Sequence, residues 1–136
     1  MDILVDANII ISFIDCEGYA RRFFAQAMSK QHILHFLPDV YDESVRVTND
    51  PGAIKRLFSE MVKYEIYTRV YLTEDEDCAA SALSGRCLSL FGHNLSRTDR
   101  RLAAVAKNRG ICLFTMDKEL KELARSEGVR LYRHVA

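Results

Sequence analysis

The chain has 136 residues, of which 49% are hydrophobic and 28% charged, with a formal net charge of zero. That length suits one domain spanning residues 1–136, and the composition excludes a disordered, collagenous or coiled-coil chain. Neutrality gives no global pull toward nucleic acid, but an acidic site can cancel a basic rim.

The apolar run from Ile3 to Ile14 is broken by Asp6, Asn8 and Ser12, far short of the roughly 20 apolar residues of a membrane span. Met1-Asp2 lacks the positive start of a signal peptide. Cys16, Cys78, Cys87 and Cys112 show neither zinc spacing nor a disulfide pattern. They read as small hydrophobes in a reducing compartment, so a cytoplasmic protein without membrane association is expected.

Along the chain, Ile3-Leu4-Val5 has the continuous apolar character of a strand buried on both faces. Ala20, Phe23, Phe24, Ala27 and Met28 recur at helical spacing. Ile33 to Leu37 form a second strand, stopped by Pro38, and a short helix follows from Asp39 to about Val47. Asp50-Pro51 opens another helix, with Ile54, Leu57, Phe58, Met61 and Val62 on one face. Alternation from Ile66 to Leu72 predicts an edge strand. Thr73-x-x-Glu76 is a capping box opening a helix that runs through Cys78, Ala82 and Leu83 to Leu90 and Phe91. Ser96-x-x-Asp99 starts a further helix with Leu102, Ala103 and Ala106 inward, ended by Asn108 and Gly110. Ile111 to Thr115 read as a strand, Lys118 to Arg125 as a helix and Val129 to Arg133 as a last strand. The expected fold is therefore an α/β domain with an open, mostly parallel five-stranded sheet covered by helices.

In such sheets the functional crevice lies at the carboxyl ends of the strands. Asp6 directly follows the first strand, and Asp117 lies just beyond the strand ending near Thr115. Each also reads as a helix N-cap. Glu43 shares a helical stripe with Val40 and Val47, and Asp99 one with Leu102, Ala103 and Ala106. A carboxylate on an apolar stripe is unfavourable unless paired or metal-bound, although an acid in so short a helix as that of Glu43 can also reach solvent, and Asp99 can serve its capping box. If the four converge, two charges 4 Å apart repel by about 4 kcal/mol at an effective dielectric of 20. Such a cluster takes up protons or holds a cation, and oxygen-only ligands select Mg²⁺ or Mn²⁺.

Asp6-Ala7-Asn8, Pro38-x-x-x-x-Glu43, Asp99 with Leu102-Ala103-Ala104-x-Ala106, and Thr115-x-Asp117 together resemble the PIN-domain nucleases, and among them the short VapC-type toxins. The resemblance implies a PIN-like three-layer sandwich and a metal-dependent ribonuclease. Asp6, Glu43, Asp99 and Asp117 would be both catalytic and metal-binding, with Asn8 and Thr115 orienting them. It also implies RNA as substrate, an antitoxin partner and a homodimer. Ala7 departs from the hydroxyl residue of many relatives, Asp42 adjoins Glu43, and Tyr64 to Asn94 carries no motif of the family.

Arg97, Arg100, Arg101, Lys107 and Arg109 cluster on the helix of Asp99. Arg97 and Arg100 are candidates to hold substrate phosphates, the alternative being a solvated helix face; Arg21 and Arg22 are weaker candidates. Aromatic faces around Phe23, Phe24 and Tyr67 offer surfaces for self-association. A phosphoacceptor receiver domain and a dehalogenase-like phosphatase fit poorly, since position 8 is Asn and no Lys follows the fifth strand. The remaining rival is a catalytically inactive PIN-fold binding or assembly module.

Overall fold

The computed structural model describes residues 1–133. The elements in chain order are β1 (Asp2–Val5), α1 (Ala7–Ile14), α2 (Gly18–Lys30), β2 (Ile33–Phe36), α3 (Pro38–Val47) and α4 (Pro51–Lys63). There follow β3 (Tyr67–Arg69), α5 (Glu74–Ala82), α6 (Ser84–Phe91), α7 (Arg97–Arg109), β4 (Cys112–Phe114) and α8 (Lys118–Ser126).

The strands form one parallel sheet in the order β3-β2-β1-β4. Ile3, Leu4 and Val5 are all fully buried, although successive side chains of a strand point to opposite faces. Helices therefore cover both sides at β1, as its unbroken apolar run requires. From β1 the chain moves outward to β2 and β3 on one side and later returns to β4 on the other. The gap between β1 and β4 is thus the topological switch point, where a crevice opens at the carboxyl ends of the strands.

The sheet has four strands rather than the five expected. The segment Val129 to Arg133 makes only a single parallel bridge, Leu131 to Leu113. The Leu113 N–H donates to the Arg130 carbonyl and the Tyr132 N–H to the Leu113 carbonyl, both at 2.9 Å, and among the described residues no ladder extends beyond them. The expected edge strand is confirmed, but only Tyr67–Arg69 pair with β2.

The helix expected from Thr73 to Phe91 divides at Leu83. Thr73 and Glu76 do form the capping box. At the other end the Leu83 N–H turns to the Ala80 carbonyl at 3.2 Å, a tightened turn that redirects the chain into α6. Arg100 reaches in from α7, its Nη1 donating to the Ala80 carbonyl at 3.4 Å and the Ser84 hydroxyl at 3.2 Å. The break is thus held by a side chain distant in sequence, which the local pattern could not show.

Helix α7 is tied to its neighbours by ion pairs. Glu76 of α5 is 1% exposed, and Arg109 donates to it from both Nε (2.8 Å) and Nη2 (2.9 Å). Asn108 adds a bond at 3.0 Å, and Thr73 donates its N–H at 2.9 Å. With the Arg109 guanidinium foremost, these donors hold the Glu76 carboxyl down at about 2 from its ordinary 4.5. Stability from this pair is present above pH 4.5 and lost as pH falls toward 2. Replacing Arg109 with Met strands the buried carboxylate and is expected to lower the unfolding free energy at pH 7 by about 3 kcal/mol. Urea denaturation measures the loss, which should shrink when Glu76→Gln is added.

Candidate metal centre

Register in the sheet builds the site. Val5 pairs with Phe114, so Asp6 and Thr115 emerge side by side from β1 and β4. The Asp6 N–H donates to the Phe114 carbonyl at 3.0 Å. Asp6 also caps α1, its Oδ1 accepting from the Ala7 N–H at 2.7 Å. Its Oδ2 accepts from the Thr115 hydroxyl at 2.7 Å.

That hydroxyl is fully used. It donates to Asp6 and accepts from Asn8 Nδ2 at 3.3 Å and from the Asp117 N–H at 3.1 Å. One donor and two acceptors exhaust a hydroxyl. Asn8 completes the loop by accepting from the Met116 N–H at 3.4 Å. Among the described residues Asn8 thus hydrogen-bonds to no carboxylate; it holds Thr115 and Met116. Asp117 caps α8 through Oδ1, which accepts from the Leu120 N–H at 2.9 Å.

Asp6, Glu43, Asp99 and Asp117 all line one cavity of about 710 Å³, together with Asp39, Asp42 and the cation Arg46. Asp99 stands in the first turn of α7, where the Ser96 hydroxyl caps its N–H at 3.1 Å. Leu102, Ala103 and Ala106 below it are buried, as the periodicity requires. Glu43 differs from expectation. The inward line of α3 runs through Val40 and Ser44, both 0% exposed, while Val47 is 56% exposed. Ser44 tolerates burial because its hydroxyl donates to the Val40 carbonyl at 2.7 Å. Glu43 sits one residue off that line, half-buried at the cleft rather than on the core face.

Charge in the cleft is visible in two of its acids. Burial foremost raises the Asp6 carboxyl from 3.8 to about 6, against the opposing bonds from Thr115 and Ala7; the charges of Glu43 and Asp117 push it further up. Burial, then the charges of Asp6 and Asp117, raise Asp99 to about 7, with a smaller push from Glu43. The carboxylates thus feel one another across the cavity. Among the described residues no three His, Cys, Asp or Glu side chains sit close enough to cage an ion by themselves. Most polar side chains of the lining are carboxylates and hydroxyls, with Arg46 and Asn8 the nitrogen-bearing ones, and this oxygen-rich, anionic set suits a hard cation that keeps waters and takes further oxygen ligands.

The basic residues of α7 do not line this cavity. Arg100 is turned to the α5–α6 junction, its Nε also donating to the Leu95 carbonyl at 3.3 Å. Arg97 is exposed outside the cleft. Arg101 pairs with Asp39 at 2.9 Å and Asp77 at 3.1 Å, Lys107 with Glu127 at 3.0 Å, and Arg109 with Glu76. Arg101, Lys107 and Arg109 are thus used in fastening α7 to its neighbours. Sequence reasoning did not assign Asp39, Arg46, Thr98 or Arg101 to the cleft or its wall. The Thr98 hydroxyl and Arg101 both donate to Asp39 Oδ2, joining α3 to α7 across the cavity, and no local signal pairs residues so far apart.

A switch-point cleft of clustered carboxylates on a parallel α/β sheet defines the class of acidic strand-end sites suited to a divalent cation. The chain belongs to the PIN domain family, whose model matches residues 3–126. Solved structures share the fold. VapBC2 from Rickettsia felis, bound to a DNA fragment from its promoter, is similar with a TM-score of 0.69 at 14% identity, covering 97% of this chain and 98% of that one. VapBC-1 from nontypeable Haemophilus influenzae gives 0.68 at 19% identity, covering 97% of each chain. FitAcB from Neisseria gonorrhoeae gives 0.58 at 15%, covering 96% of each. A search of curated proteins returns no match.

An acid with a raised folded pKa binds its proton more tightly when folded, so stability falls as pH rises from about 4 to 7. In chelator the melting temperature should drop over that range and recover when Mn²⁺ is added. Asp99→Asn should raise the pH 7.5 melting temperature in chelator by about 4 °C, the shift expected from about 1 kcal/mol in a domain of this size. Calorimetry without cation reads both effects.

Proposed function

We propose that this chain is a divalent-metal-dependent endoribonuclease and the toxin of a toxin–antitoxin pair. The observation that carries the reading is the convergence of Asp6, Glu43, Asp99 and Asp117 on one cleft at the switch point. PIN-family membership supports nuclease chemistry, and the RNA substrate rests on the family resemblance.

Asp6, Glu43, Asp99 and Asp117 would hold Mg²⁺ or Mn²⁺. When bound, such an ion supplies an activated water and charge stabilisation for in-line displacement at phosphorus. The chain's own residues prepare the ground. Thr115 and the Ala7 N–H fix both oxygens of Asp6, so its carboxylate is oriented before substrate arrives. Asp117 is fixed by its cap on α8 and by the bond from its own N–H to Thr115. Raised proton affinity at Asp6 and Asp99 makes the cleft a better cation site as pH rises past 7.

The similarity to VapBC and FitAcB supports an antitoxin partner, which would lay an Arg or Lys among the carboxylates. The reading extends to a homodimer. Its contact is not the face around Phe23 and Phe24, which are 0% and 1% exposed; Tyr67 is half-buried. Among the described residues no helix is long and apolar enough to cross a membrane, and the cytoplasmic assignment stands as part of this proposal.

Purified chain should cleave single-stranded RNA with Mn²⁺ or Mg²⁺ and stop in EDTA. Asp6→Asn and Glu43→Gln should each reduce cleavage to the level seen in EDTA. A chain that neither binds Mn²⁺ by calorimetry nor cuts RNA with either ion would overturn the reading in favour of a binding module.

A further inference from the structure

The acidic cleft presents a problem for an anionic substrate. Six carboxylates line it (Asp6, Asp39, Asp42, Glu43, Asp99 and Asp117) against one guanidinium, Arg46. A single divalent ion does not balance that lining, so the strand on either side of the scissile bond needs positive charge from elsewhere. Of the α7 arginines, Arg100, Arg101 and Arg109 are turned into carbonyl contacts and ion pairs, and Arg97 does not line the cleft.

A second cavity, of about 420 Å³, lies behind the loop that carries Thr115 and Asp117. Thr115 is the shared wall: its hydroxyl is bonded to Asp6 of the cleft, and the residue itself lines the second cavity. The other lining residues are Tyr19, Arg22, Phe114, Met116, Lys121, Tyr132 and Arg133, with no Asp or Glu among the described residues. Among the described residues none of the three cations enters an ion pair.

The lining is rich in packed aromatic rings. Tyr132 packs on Phe114 with ring centroids 5.0 Å apart and on Phe23 at 5.3 Å. Tyr19 lies 6.5 Å from Phe114 and donates its hydroxyl to Ser12 at 2.6 Å. Cations and aromatic rings lining one cavity are the elements of single-strand recognition, in which the backbone follows positive charge and bases rest on rings.

We propose that this cavity is a nucleotide subsite. It seats the stretch of single-stranded RNA that continues past the Thr115–Asp117 loop from the cleavage point. Arg22, Lys121 and Arg133 take the phosphates, and the rings of Tyr19, Phe114 and Tyr132 take a base or ribose. The inference deepens the nuclease reading and rests on it for the direction of the strand. It also assigns Arg22, a weak candidate in the sequence, to the role expected of Arg97 and Arg100.

The test measures binding apart from cleavage. Full-length chain in EDTA is titrated into fluorescein-labelled single-stranded RNA and followed by anisotropy at several salt concentrations. The Arg22→Ala/Lys121→Ala/Arg133→Ala variant should bind at least about tenfold more weakly, with a log–log salt slope smaller by about 2, from about 0.7 per single-strand phosphate contact. A control, Lys30→Ala/Lys55→Ala/Lys63→Ala, removes the same charge from exposed sites lining neither cavity and should bind like the parent. Equal weakening of the two variants, no binding by the parent, or equal affinity for duplex or poly-glutamate would overturn the subsite. Tighter binding of single-stranded DNA than RNA would overturn its assignment to RNA. Cleavage with Mn²⁺ is scored separately. A parent that binds through these residues without cutting sinks the nuclease reading alone, whereas one that cuts while the variant binds normally sinks the subsite alone.

Discussion

The site depends on a single hydroxyl. Thr115, 2% exposed, orients Asp6 across the β1–β4 pair while accepting from Asn8 and from the backbone of Asp117. Two segments of the chain, residues 6–8 and 115–117, meet at that oxygen, and it has no bonding capacity left over. Valine would fill the same space and fit the strand equally well. It would leave a buried carboxylate oxygen and a backbone N–H without partners, each an expensive loss away from water.

Two kinds of carboxylate make up the cleft. Asp6 and Asp117 end strands and begin helices, so each spends one oxygen on a cap and is fixed by local geometry. Asp99 and Glu43 sit on helices that must first be brought to the sheet. What brings them is the traffic of long side chains around α7: Arg101 to Asp39 and Asp77, Arg109 to Glu76, and Arg100 to the bend at Leu83. The charge of Arg101 and Arg109 is thus used to hold α7 against α3 and α5.

The same division explains what the sequence revealed. The strand-end acids, the capping box at Thr73 and the inward stripe below Asp99 rest on contacts a few residues apart, and each is found as read. The parallel sheet follows from the unbroken apolar run at Ile3–Val5. Glu43 was assigned to the cleft by a stripe that does not exist, because periodicity could not show that Ser44, with its hydroxyl satisfied inside α3, replaces Val47 as the inward residue. The fate of the arginines was illegible for a related reason. Their partners lie 24 to 62 residues away for Arg101 and 33 away for Arg109. The expected final strand is reduced to one bridge because β character in a segment does not supply a ladder to join.

Both margins of the sheet are strands of only three residues, Tyr67–Arg69 and Cys112–Phe114, and the latter is already bridged by Leu131. An incoming strand from another molecule would find few free backbone groups in register on either side. Short, partly covered edges are the means by which α/β proteins avoid growing by strand addition. Any assembly of this chain would thereby be directed to side-chain packing on helical faces, where sequence sets specificity, and away from backbone pairing, where any extended segment would serve.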